Sequence, residues 1–378
     1  MAEFKSILFE QMIRDFAENE VKPMAQLTDE EERFPIETVE KMAKLGLFGI
    51  VIPKQYGGAG ATYREYIYAV EEISKYCGTT GVILSAHTSL CAAPILEFGT
   101  EEQKQKYLPD LATGRKLGAF GLTEPNAGTD ASNQQTIAIE KEDHYLLNGS
   151  KIFITNAGEA ETYVVITVTG KGPKGPEMTA FIVEKAFDGF SFGKHEKKMG
   201  IRGSATRELI FENVKVPKEN MLGKRGEGFK IAMKTLDGGR VGIAAQALGI
   251  AEGALNETVA YVKQRKQFGR PISAFQNTQF QLADMSTKVA AARALVYIAA
   301  DAKQAKAPTL SVNAAQAKLF ASEVAMEVTT KAVQLHGGYG YTREYPVERM
   351  MRDAKITEIY EGTSEVQRMV ISGALLKK

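Results

Sequence analysis

The segment ITEIYEGTSEVQ, residues 356–367, holds three carboxylates, at Glu358, Glu361 and Glu365. Glu361 follows an apolar and an aromatic residue, and it precedes a glycine and two hydroxyl residues. A carboxylate in such a bend can act as a general base if the fold carries it into a water-poor pocket, where its proton affinity rises. The alternative is a solvated surface loop, and the residue types alone leave both interpretations open.

A second segment that could take part in ligand binding is GLTEPNAGTDASN, residues 121–133, which is rich in glycine, proline and hydroxyl residues. Its backbone donors and hydroxyl groups could hold a phosphate or the polar edge of a ligand. A long surface turn has the same composition. No GxGxxG follows a predicted strand, so the sequence does not support a Rossmann dinucleotide site.

The elements that must position these segments begin with a mainly helical region, residues 1 to about 119. In residues 34–53 apolar residues recur at helical spacing and stop near Gly46. A second helix is predicted after Thr100, which can cap its start, and before Gly114, which suits its end.

The pattern changes near Phe120 to short β-branched and aromatic runs. YLLNGSKIFIT contains two apolar runs joined by Asn148 and Gly149, a pair that strongly favours a hairpin turn. We therefore predict an antiparallel β domain at residues 120–225 and an N-terminal helical domain at residues 1–119.

Helical periodicity returns from about Gly226. One face of a long helix is marked by Ile243, Ala247, Ala251, Leu255, Val259 and Val262. A further helix is expected after Pro308, with Ser311 as its cap and a stop at Gly337 and Gly338. The predicted fold class is mainly α with a central β domain, and residues 226–378 form its C-terminal helical bundle.

The composition narrows the functional class. Lys and Arg number 47 against 46 Asp and Glu, so no basic excess favours nucleic acid or a membrane surface. Two cysteines and four scattered histidines provide neither a disulfide framework nor metal-ligand spacing. No apolar run is expected to reach the about 20 residues that span a bilayer. The N-terminus has no signal-peptide pattern, and we expect a cytoplasmic protein without a metal site.

Six motifs occur in order along nearly the whole chain. They are GLTEPNAGTDAS (121–132), GSKIFITNAG (149–158), KMGIRGSATREL (198–209), RKQFGRPISAFQ (265–276), QLHGGYGY (334–341) and IYEGTSE (359–365). Each motif is weak alone, but together they resemble the acyl-CoA dehydrogenases, flavoproteins of fatty-acid or amino-acid catabolism. Within that family, SAHTSL (85–90) and residues 236–251 look most similar to short-chain members that act on butyryl-CoA.

The resemblance implies an architecture of helical domain, β domain and C-terminal four-helix bundle. It also implies a homotetramer with one FAD per subunit, bound between the β domain and the bundle, and with its adenine end reaching a neighbouring subunit. Electrons would pass to an electron-transferring flavoprotein.

The resemblance also assigns residues to the cofactor. Those expected to line the flavin and its phosphates are Phe120, Leu122, Thr123, Gly128 and Thr129. Those expected to back the isoalloxazine ring are Phe153, Ile154 and Thr155. Those expected to receive the pyrophosphate and adenosine of a neighbour's FAD are Arg265, Phe268, Gln276, Gln334, Gly337 and Gly338. Family members often have tryptophan where this chain has Phe153, and the chain contains no tryptophan.

Glu361 matches the family's catalytic glutamate, which takes the α-proton of an acyl thioester while the β-hydrogen leaves as hydride to flavin N5. Its backbone N–H would help to bind the thioester oxygen, and Gly362 would leave room for that group. Isovaleryl- and long-chain-specific relatives carry the base at the place of Gly239, so those two specificities are not expected here.

Five further residues have assigned surroundings. Thr363 and Glu365 are expected near the FAD. Tyr360, Asp237 and Arg240 match substrate-contacting positions, although a structural ion pair within one helical turn explains the last two equally well. A short branched substrate, a flavin oxidase and a non-catalytic interaction subunit remain alternatives to dehydrogenation of a short straight-chain acyl-CoA.

Overall fold

The N-terminal part of the chain is helical, as predicted. The computed structural model describes residues 2–172 and 175–377, with side chains from residue 7 onward. The helices before the first strand are α1 (Ala2–Phe16), α2 (Lys22–Glu30), α3 (Ile36–Lys44), α4 (Tyr63–Ser74), α5 (Gly78–Ser85), α6 (Ala93–Phe98) and α7 (Glu101–Ala112). Thr100 caps α7 through a reciprocal capping box with Gln103, which confirms the predicted start of that helix.

Helices α5 and α6 join through a π-helical turn, Ala86–Ala92, into one continuous helix. This helix, Gly78–Phe98, is 21 residues long and apolar enough to cross a membrane by length and composition. The expectation that no segment reaches that length is therefore wrong by this criterion. However, 78% of its most apolar window is buried inside the fold, against α8 and the sheet, which is the position of a core helix.

The middle of the chain forms an eight-stranded sheet. Its strands are β1 (Gly118–Gly121), β2 (Ile137–Glu140), β3 (His144–Thr155), β4 (Thr162–Gly172), β5 (Gly175–Glu184), β6 (Phe190–Phe192), β7 (Thr206–Pro217) and β8 (Met221–Leu222). The order is β6-β7-β3-β2-β4-β5-β8, with β1 beside β4. Most pairs are antiparallel, but β1 and β2 pair with β4 in parallel, so the sheet is mixed.

The hairpin predicted at Asn148 and Gly149 does not form. Strand β3 runs through both residues, and the register against β7 shifts between Leu147 and Gly149. Gly149 has φ +132°, a conformation that serves a β-bulge as well as a turn. The Asn148 side chain exchanges hydrogen bonds with Asn213 on β7, which keeps the two strands paired through the irregularity.

The C-terminal part is again helical. Its elements are α8 (Gly228–Gln264), a small ribbon of β9 (Lys266–Gln267) and β10 (Arg270–Pro271), α9 (Gln276–Gln304), α10 (Leu310–His336), α11 (Val347–Ile356) and α12 (Ser364–Leu375). The predicted apolar face of α8 is buried or half-buried along its length, and α8 packs against α10. The sequence order of helical, β and helical regions is therefore confirmed.

Helix α10 begins two residues earlier than the predicted cap requires. Thr309 occupies the N-cap position, and Ser311 lies inside the first turn. The Ser311 hydroxyl instead donates to the carboxylate of Asp237 on α8. The expected cap is wrong because an acceptor on a neighbouring helix takes the hydroxyl.

Candidate active site

The turn between α11 and α12 carries Glu361 in an uncommon backbone conformation. Glu361 has φ +52° and Gly362 has φ +95°, so two successive residues are left-handed. For a residue other than glycine this conformation costs about 1–2 kcal/mol. A Cβ at position 362 would lie 2.6 Å from Nε2 of Gln367, so glycine also meets a steric limit there. The surrounding fold must therefore hold this turn in place.

Two buried side chains hold the turn by its carbonyl groups. Nζ of Lys318 on α10 donates to the Gly362 carbonyl at 2.7 Å. Nε2 of Gln367 on α12 donates to the Gly362 carbonyl at 2.8 Å and to that of Glu361 at 3.3 Å. Thr363, expected near the FAD, is the N-cap of α12 and accepts from the Val366 amide at 3.4 Å.

Sequence reasoning missed Lys318 and Gln367. A signal for Lys318 was available, because it interrupts a small-residue face of α10 that is otherwise buried. Lysine is almost never fully buried without a specific partner, so a lysine on that face indicates a specific contact of its ammonium group. Nothing in the sequence around Gln367 distinguishes it from a surface glutamine.

The Glu361 carboxylate lies away from bulk water. Its Oε2 atom is buried and has no hydrogen-bond partner among the described residues. Burial raises the pKa of Glu361 to about 8, although the nearby cations Lys318 and Arg240 act in the opposite direction. A carboxylate with such a pKa binds a proton more strongly than an ordinary glutamate does, and it is available as a general base in the fraction of molecules in which it is ionised.

The two neighbouring carboxylates have different surroundings. Glu358 pairs with Lys355 at 2.6 Å on the outer side of α11. Glu365 is exposed in the first turn of α12, where a backbone hydrogen bond lowers its pKa. Glu361 as a whole is half-buried, but among these three carboxylates it is the one with an oxygen that is buried and has no partner among the described residues.

A glycine of α8 lies directly beside the Glu361 carboxylate. A Cβ built on Gly239 would lie 2.0 Å from Oε2 of Glu361 and 2.7 Å from Cδ2 of Leu90. No side chain other than hydrogen fits at this position while the turn keeps its place. A side chain at position 239 and the carboxylate of Glu361 would therefore occupy the same small volume. This agrees with the expectation that a family member carries its base either at position 239 or at position 361.

Aromatic and hydroxyl side chains enclose the same face of α8. The Tyr63 hydroxyl donates to the Gly238 carbonyl at 3.0 Å. A Cβ on Gly242 would lie 2.3 Å from Oγ of Ser85 and 3.1 Å from the Tyr66 hydroxyl. These contacts pack α4 and α5 tightly onto α8 beside the carboxylate.

Asp237 and Arg240 form a buried ion pair, with 2.8 Å between Oδ1 and Nη1. The other oxygen of Asp237 accepts from Ser311, and Nε of Arg240 is buried without a partner among the described residues. The structure therefore contains the structural ion pair that was one of the two interpretations. The unpartnered Nε leaves the substrate-contacting role as a prediction.

Tyr360 anchors the turn to α8. Its hydroxyl donates to Oε1 of Gln246, whose Nε2 donates to the Gly78 carbonyl at 2.8 Å. The side chain thus has a structural role next to the base, and its predicted contact with substrate stays a prediction.

The loop at residues 121–133 is fixed at its base by a buried ion pair that the sequence did not suggest. Nζ of Lys151 lies 2.6 Å from Oε1 of Glu124, and both side chains are buried. Glu124 also accepts from the backbone amides of Gln135 and Thr136, at 2.6 and 3.0 Å. These contacts tie both ends of the loop to strand β3.

The residues assigned to the flavin lie on this loop and on the strands β1 and β3, and they differ in exposure. Those that are buried in the core are Phe120, Leu122 and Ile154, and those that are half-buried are Thr123 and Thr155. Gly128 and Thr129 are exposed, and no atom lies within 4 Å of a Cβ built on Gly128. The exposed part of the loop offers open backbone to a ligand.

Phe153 is held outward by a strained strand irregularity. It has φ +57°, and the register of β3 against β7 shifts between Lys151 and Ile154. The phenyl ring is 63% exposed, although Phe153 lies within a long strand, near its C-terminal end. Backbone strain that exposes an aromatic face fits the predicted stacking partner of a flat ring.

A second group of predicted cofactor residues lies on the outer end of α8 and α10. Four of them line one open cavity, together with Tyr261 and Tyr339: Arg265, Gln334, Gly337 and Gly338. The Arg265 guanidinium lies over the Tyr339 ring, 5.6 Å from its centre. Phe268 and Gln276 do not line this cavity, and Phe268 is 91% exposed with φ +52°.

One carboxylate cluster has the spacing of a metal site. Oxygens of Glu71, Glu72 and Glu252 lie within 4.8 Å of one another. Lys75 pairs with Glu72 and Glu252, and Arg293 pairs with Glu71 and Glu252. These two side-chain cations pair with all three carboxylates, so the cluster resembles a structural network.

Comparison with known proteins covers all three regions. Sequence models of the acyl-CoA dehydrogenase N-terminal, middle and C-terminal domains match residues 5–115, 119–214 and 226–376. A short-chain-specific acyl-CoA dehydrogenase from Clostridium acetobutylicum is 65% identical over 98% of this chain and 97% of its own length.

Solved structures agree with this result. Butyryl-CoA dehydrogenase from Megasphaera elsdenii is 55% identical with a TM-score of 0.96, over 98% of each chain. A chain from a study of the electron-transferring flavoprotein of Acidaminococcus fermentans and electron bifurcation is 58% identical, with a TM-score of 0.96 over 99% of this chain and 98% of that one. A Bacillus anthracis acyl-CoA dehydrogenase solved with FAD is 36% identical, with a TM-score of 0.92 over 98% of this chain and 66% of that one. This chain belongs to the acyl-CoA dehydrogenase family.

Proposed function

We propose that this protein removes two hydrogens from the α and β carbons of a short-chain acyl-CoA, of the butyryl-CoA to crotonyl-CoA type, with FAD as cofactor. The observation that carries the proposal is the buried, unpartnered Oε2 of Glu361 on a strained and clamped turn. A fold rarely maintains backbone strain and an unsatisfied buried oxygen together unless that oxygen has a chemical task.

Glu361 accepts the proton from the α-carbon of the substrate and becomes a neutral carboxylic acid. Its raised pKa makes the ionised carboxylate a stronger proton acceptor, and the ionised fraction that can act grows as the pH rises through about 8. When bound, FAD supplies the acceptor for the hydride that leaves the β-carbon. The substrate thus gives up one proton and one hydride, and its Cα–Cβ single bond becomes a double bond.

The negative charge that develops on the thioester oxygen also needs donors. The Glu361 amide has no acceptor among the described residues, so it is available for that oxygen. Gly362 keeps the adjacent space free of a side chain. The same turn can therefore supply both the base and one donor for the enolate-like oxygen.

The residues present fit FAD. Phe153 offers an exposed aromatic face, and the loop around Gly128 offers open backbone and hydroxyl groups. Arg265, beside the two exposed glycines Gly337 and Gly338, offers a forked cation to a phosphate that can approach the backbone closely. We assign the flavin and its phosphates to the first group and the distal half of a neighbour's FAD to the second.

The space beside the base favours a short acyl chain. Leu90 lies against the Gly239–Glu361 contact, and Tyr63 and Tyr66 pack on the adjacent turns of α8. We infer that these side chains limit the length of acyl chain that can bind beside Glu361. The high identity to short-chain relatives supports the same substrate class.

We further propose a cytoplasmic homotetramer that delivers electrons to an electron-transferring flavoprotein. Large apolar side chains are exposed on both outer helices of the bundle, among them Phe280 and Ile298 on α9 and Met369 and Leu375 on α12. Exposed apolar surface of this kind is typical of a protein–protein interface. The similar chain studied with an electron-transferring flavoprotein supports that partner.

The test is anaerobic mixing of the purified flavoprotein with butyryl-CoA, isobutyryl-CoA and octanoyl-CoA, followed by flavin absorbance. We expect bleaching to be fastest with butyryl-CoA. A colourless protein that does not take up FAD, or a flavin that none of the three reduces, would overturn the proposal. Hydrogen peroxide production that matches turnover in air would instead identify an oxidase.

A substitution at Leu90 tests the chain-length assignment. Leu90→Ala opens volume beside the base, so the ratio of octanoyl-CoA to butyryl-CoA reduction rates should rise by roughly tenfold. The matched control is Leu96→Ala, which alters a leucine of α6 packed on the same core cluster. An equal change in both variants would show that Leu90 does not limit chain length.

A further inference from the structure

Lys318 is a buried cation that contacts the turn carrying Glu361. It lies in the middle of α10, its side chain is fully buried, and its described hydrogen bond goes to the Gly362 carbonyl at 2.7 Å. Burying an ammonium group is costly unless charge and hydrogen bonds compensate for lost water. A neutral glutamine, Gln367, already holds the same carbonyl. The positive charge therefore needs a reason beyond the hydrogen bond.

The charges around Glu361 come from every element packed on it. Helix α8 contributes the Arg240–Asp237 ion pair, and α10 contributes Lys318. The hydroxyls of Tyr63, Tyr66 and Tyr360 interact electrostatically with the carboxylate, but they donate their hydrogen bonds to Gly238, Ser85 and Gln246. Arg240 is already paired with Asp237, so Lys318 is the stronger counter-charge of Glu361, and Arg240 adds to it more weakly.

Glu358 and Glu365 act on Lys318 more weakly than Glu361 does. Each lies on the outer side of the turn, where Glu358 has its own partner and Glu365 is exposed. They consequently do not replace Glu361 as the partner of the buried lysine charge.

We propose that Lys318 is a positioning residue for the catalytic base: it fixes the left-handed turn through the Gly362 carbonyl and supplies the counter-charge for Glu361 without hydrogen-bonding its carboxylate. The inference rests on the proposed function, because it assigns Lys318 a part in delivering that base.

The arrangement has a physical logic. A lysine that donated directly to the carboxylate would hold an oxygen that must accept the substrate proton. By donating to the next carbonyl instead, Lys318 stabilises the ionised base while Oε2 stays free. Burial lowers the pKa of Lys318 to about 8, so lysine and glutamate exchange protons in the same pH range and the observed midpoint belongs to the pair.

The test compares Lys318→Met with Gln367→Met in the FAD-loaded enzyme. Both variants remove a donor to the Gly362 carbonyl, but only the first removes a charge. Flavin bleaching by butyryl-CoA is measured anaerobically from pH 6 to pH 10. The ionisation of Glu361 is followed in parallel, without substrate, by the infrared band of its protonated carboxyl group, identified by its absence in Glu361→Gln.

For Lys318→Met we expect bleaching at pH 7 to fall by about tenfold or more, and the midpoint of the pH profile and of the infrared titration to move upward by about one unit or more. For Gln367→Met we expect a lower rate with an unchanged midpoint. If Lys318→Met does not fold, Lys318→Gln, which keeps a donor without the charge, takes its place.

An unchanged midpoint in the lysine variant, or an equal shift in both variants, would overturn the role of the charge. A wild-type flavin that no acyl-CoA reduces would overturn the proposed function alone, since the infrared titration still measures the effect of Lys318 on Glu361.

Discussion

The turn that carries Glu361 and the outer cavity around Arg265 are both assigned to the same reaction, but the fold treats them in opposite ways. Glu361 is surrounded by its own chain, with its neighbouring carbonyls held by Lys318 and Gln367. Arg265 and Gln334 are exposed and line an open cavity, with a single aromatic ring beneath the guanidinium.

This difference indicates that the turn with Glu361 is complete within a single chain, whereas the cavity around Arg265 is open to a further molecule. The surroundings of Glu361, the proposed base, are assembled from α8, α10 and the α11–α12 turn, so their geometry can be set before any ligand binds. We propose that the outer cavity functions only when the cofactor of a neighbouring subunit binds over it. Variants at the two places should consequently fail in different ways.

The largest expected effect is at the base. Glu361→Gln keeps the shape of the side chain but cannot accept a proton, so anaerobic bleaching by butyryl-CoA should slow by about 10²–10⁴-fold. The variant should still bind FAD and butyryl-CoA, because the turn is held by its carbonyl groups. Stopped-flow absorbance measures the rate, and the yellow colour reports FAD.

Two neighbouring substitutions are the controls. Glu358→Gln and Glu365→Gln alter carboxylates on the outer side of the turn and should change bleaching by no more than a few fold. If Glu361→Gln bleaches near the wild-type rate while either control fails, the base is wrongly assigned. If all three bleach normally, the base lies outside this segment.

A smaller effect of a different kind is expected at the outer cavity. Arg265→Ala removes a charged donor, so FAD affinity should fall by about tenfold or more while the bleaching rate of the FAD-saturated enzyme changes little. Loss of FAD should accompany loss of the tetramer in sedimentation measurements.

Arg270→Ala is the matched control for Arg265→Ala. Arg270 lies on the β ribbon that follows Arg265 and is exposed, but it stacks on Phe275, 4.2 Å from the ring centre, and does not line the cavity. Equal FAD loss in both variants would mean that general surface charge, and not the Arg265 position, retains the cofactor. A fully active monomer would contradict the proposal that the outer cavity binds the cofactor of a neighbouring subunit.

The smallest effect concerns stability. Burial raises the pKa of Glu361 to about 8, above the about 4.3 of an unfolded glutamate. Its contribution to folding is therefore full below about pH 4 and is lost as the pH rises through about 8. Because Glu361→Gln has no such loss, its melting temperature should exceed that of the wild type by roughly 1–3 °C at pH 9 and match it near pH 4.5.

Thermal melts of the two proteins across this pH range measure the effect. Glu365→Gln serves as the comparison, because the Glu365 pKa is lowered and its removal should give no gain at high pH. A constant difference between Glu361→Gln and wild type at every pH would show that the carboxylate is not buried in the free enzyme.

Local sequence determined the elements that depend on neighbouring residues. Thr100 capped α7 as predicted because the capping box needs only residues 100 and 103. The long apolar face of α8 was readable because burial repeats with the helical period. The ordered motifs identified the family and singled out Glu361, since they carry information that individual residues lack.

Tertiary structure decided the points at which a second segment competes for the same group. Asn148 and Gly149 suit a hairpin locally, but pairing with β7 on one side and β2 on the other makes a bulge in a continuous strand the outcome. Ser311 suits a cap locally, but the Asp237 carboxylate on α8 takes its hydroxyl.

The same distinction applies to the base. The sequence by itself determined that a carboxylate stands at position 361, before a glycine, in a family motif. Only the tertiary structure decided that its oxygen is buried against Gly239, that Lys318 and Gln367 hold the turn, and that its pKa is raised. Burial and counter-charge come from residues distant along the chain, and those contacts exist only once the helices pack together.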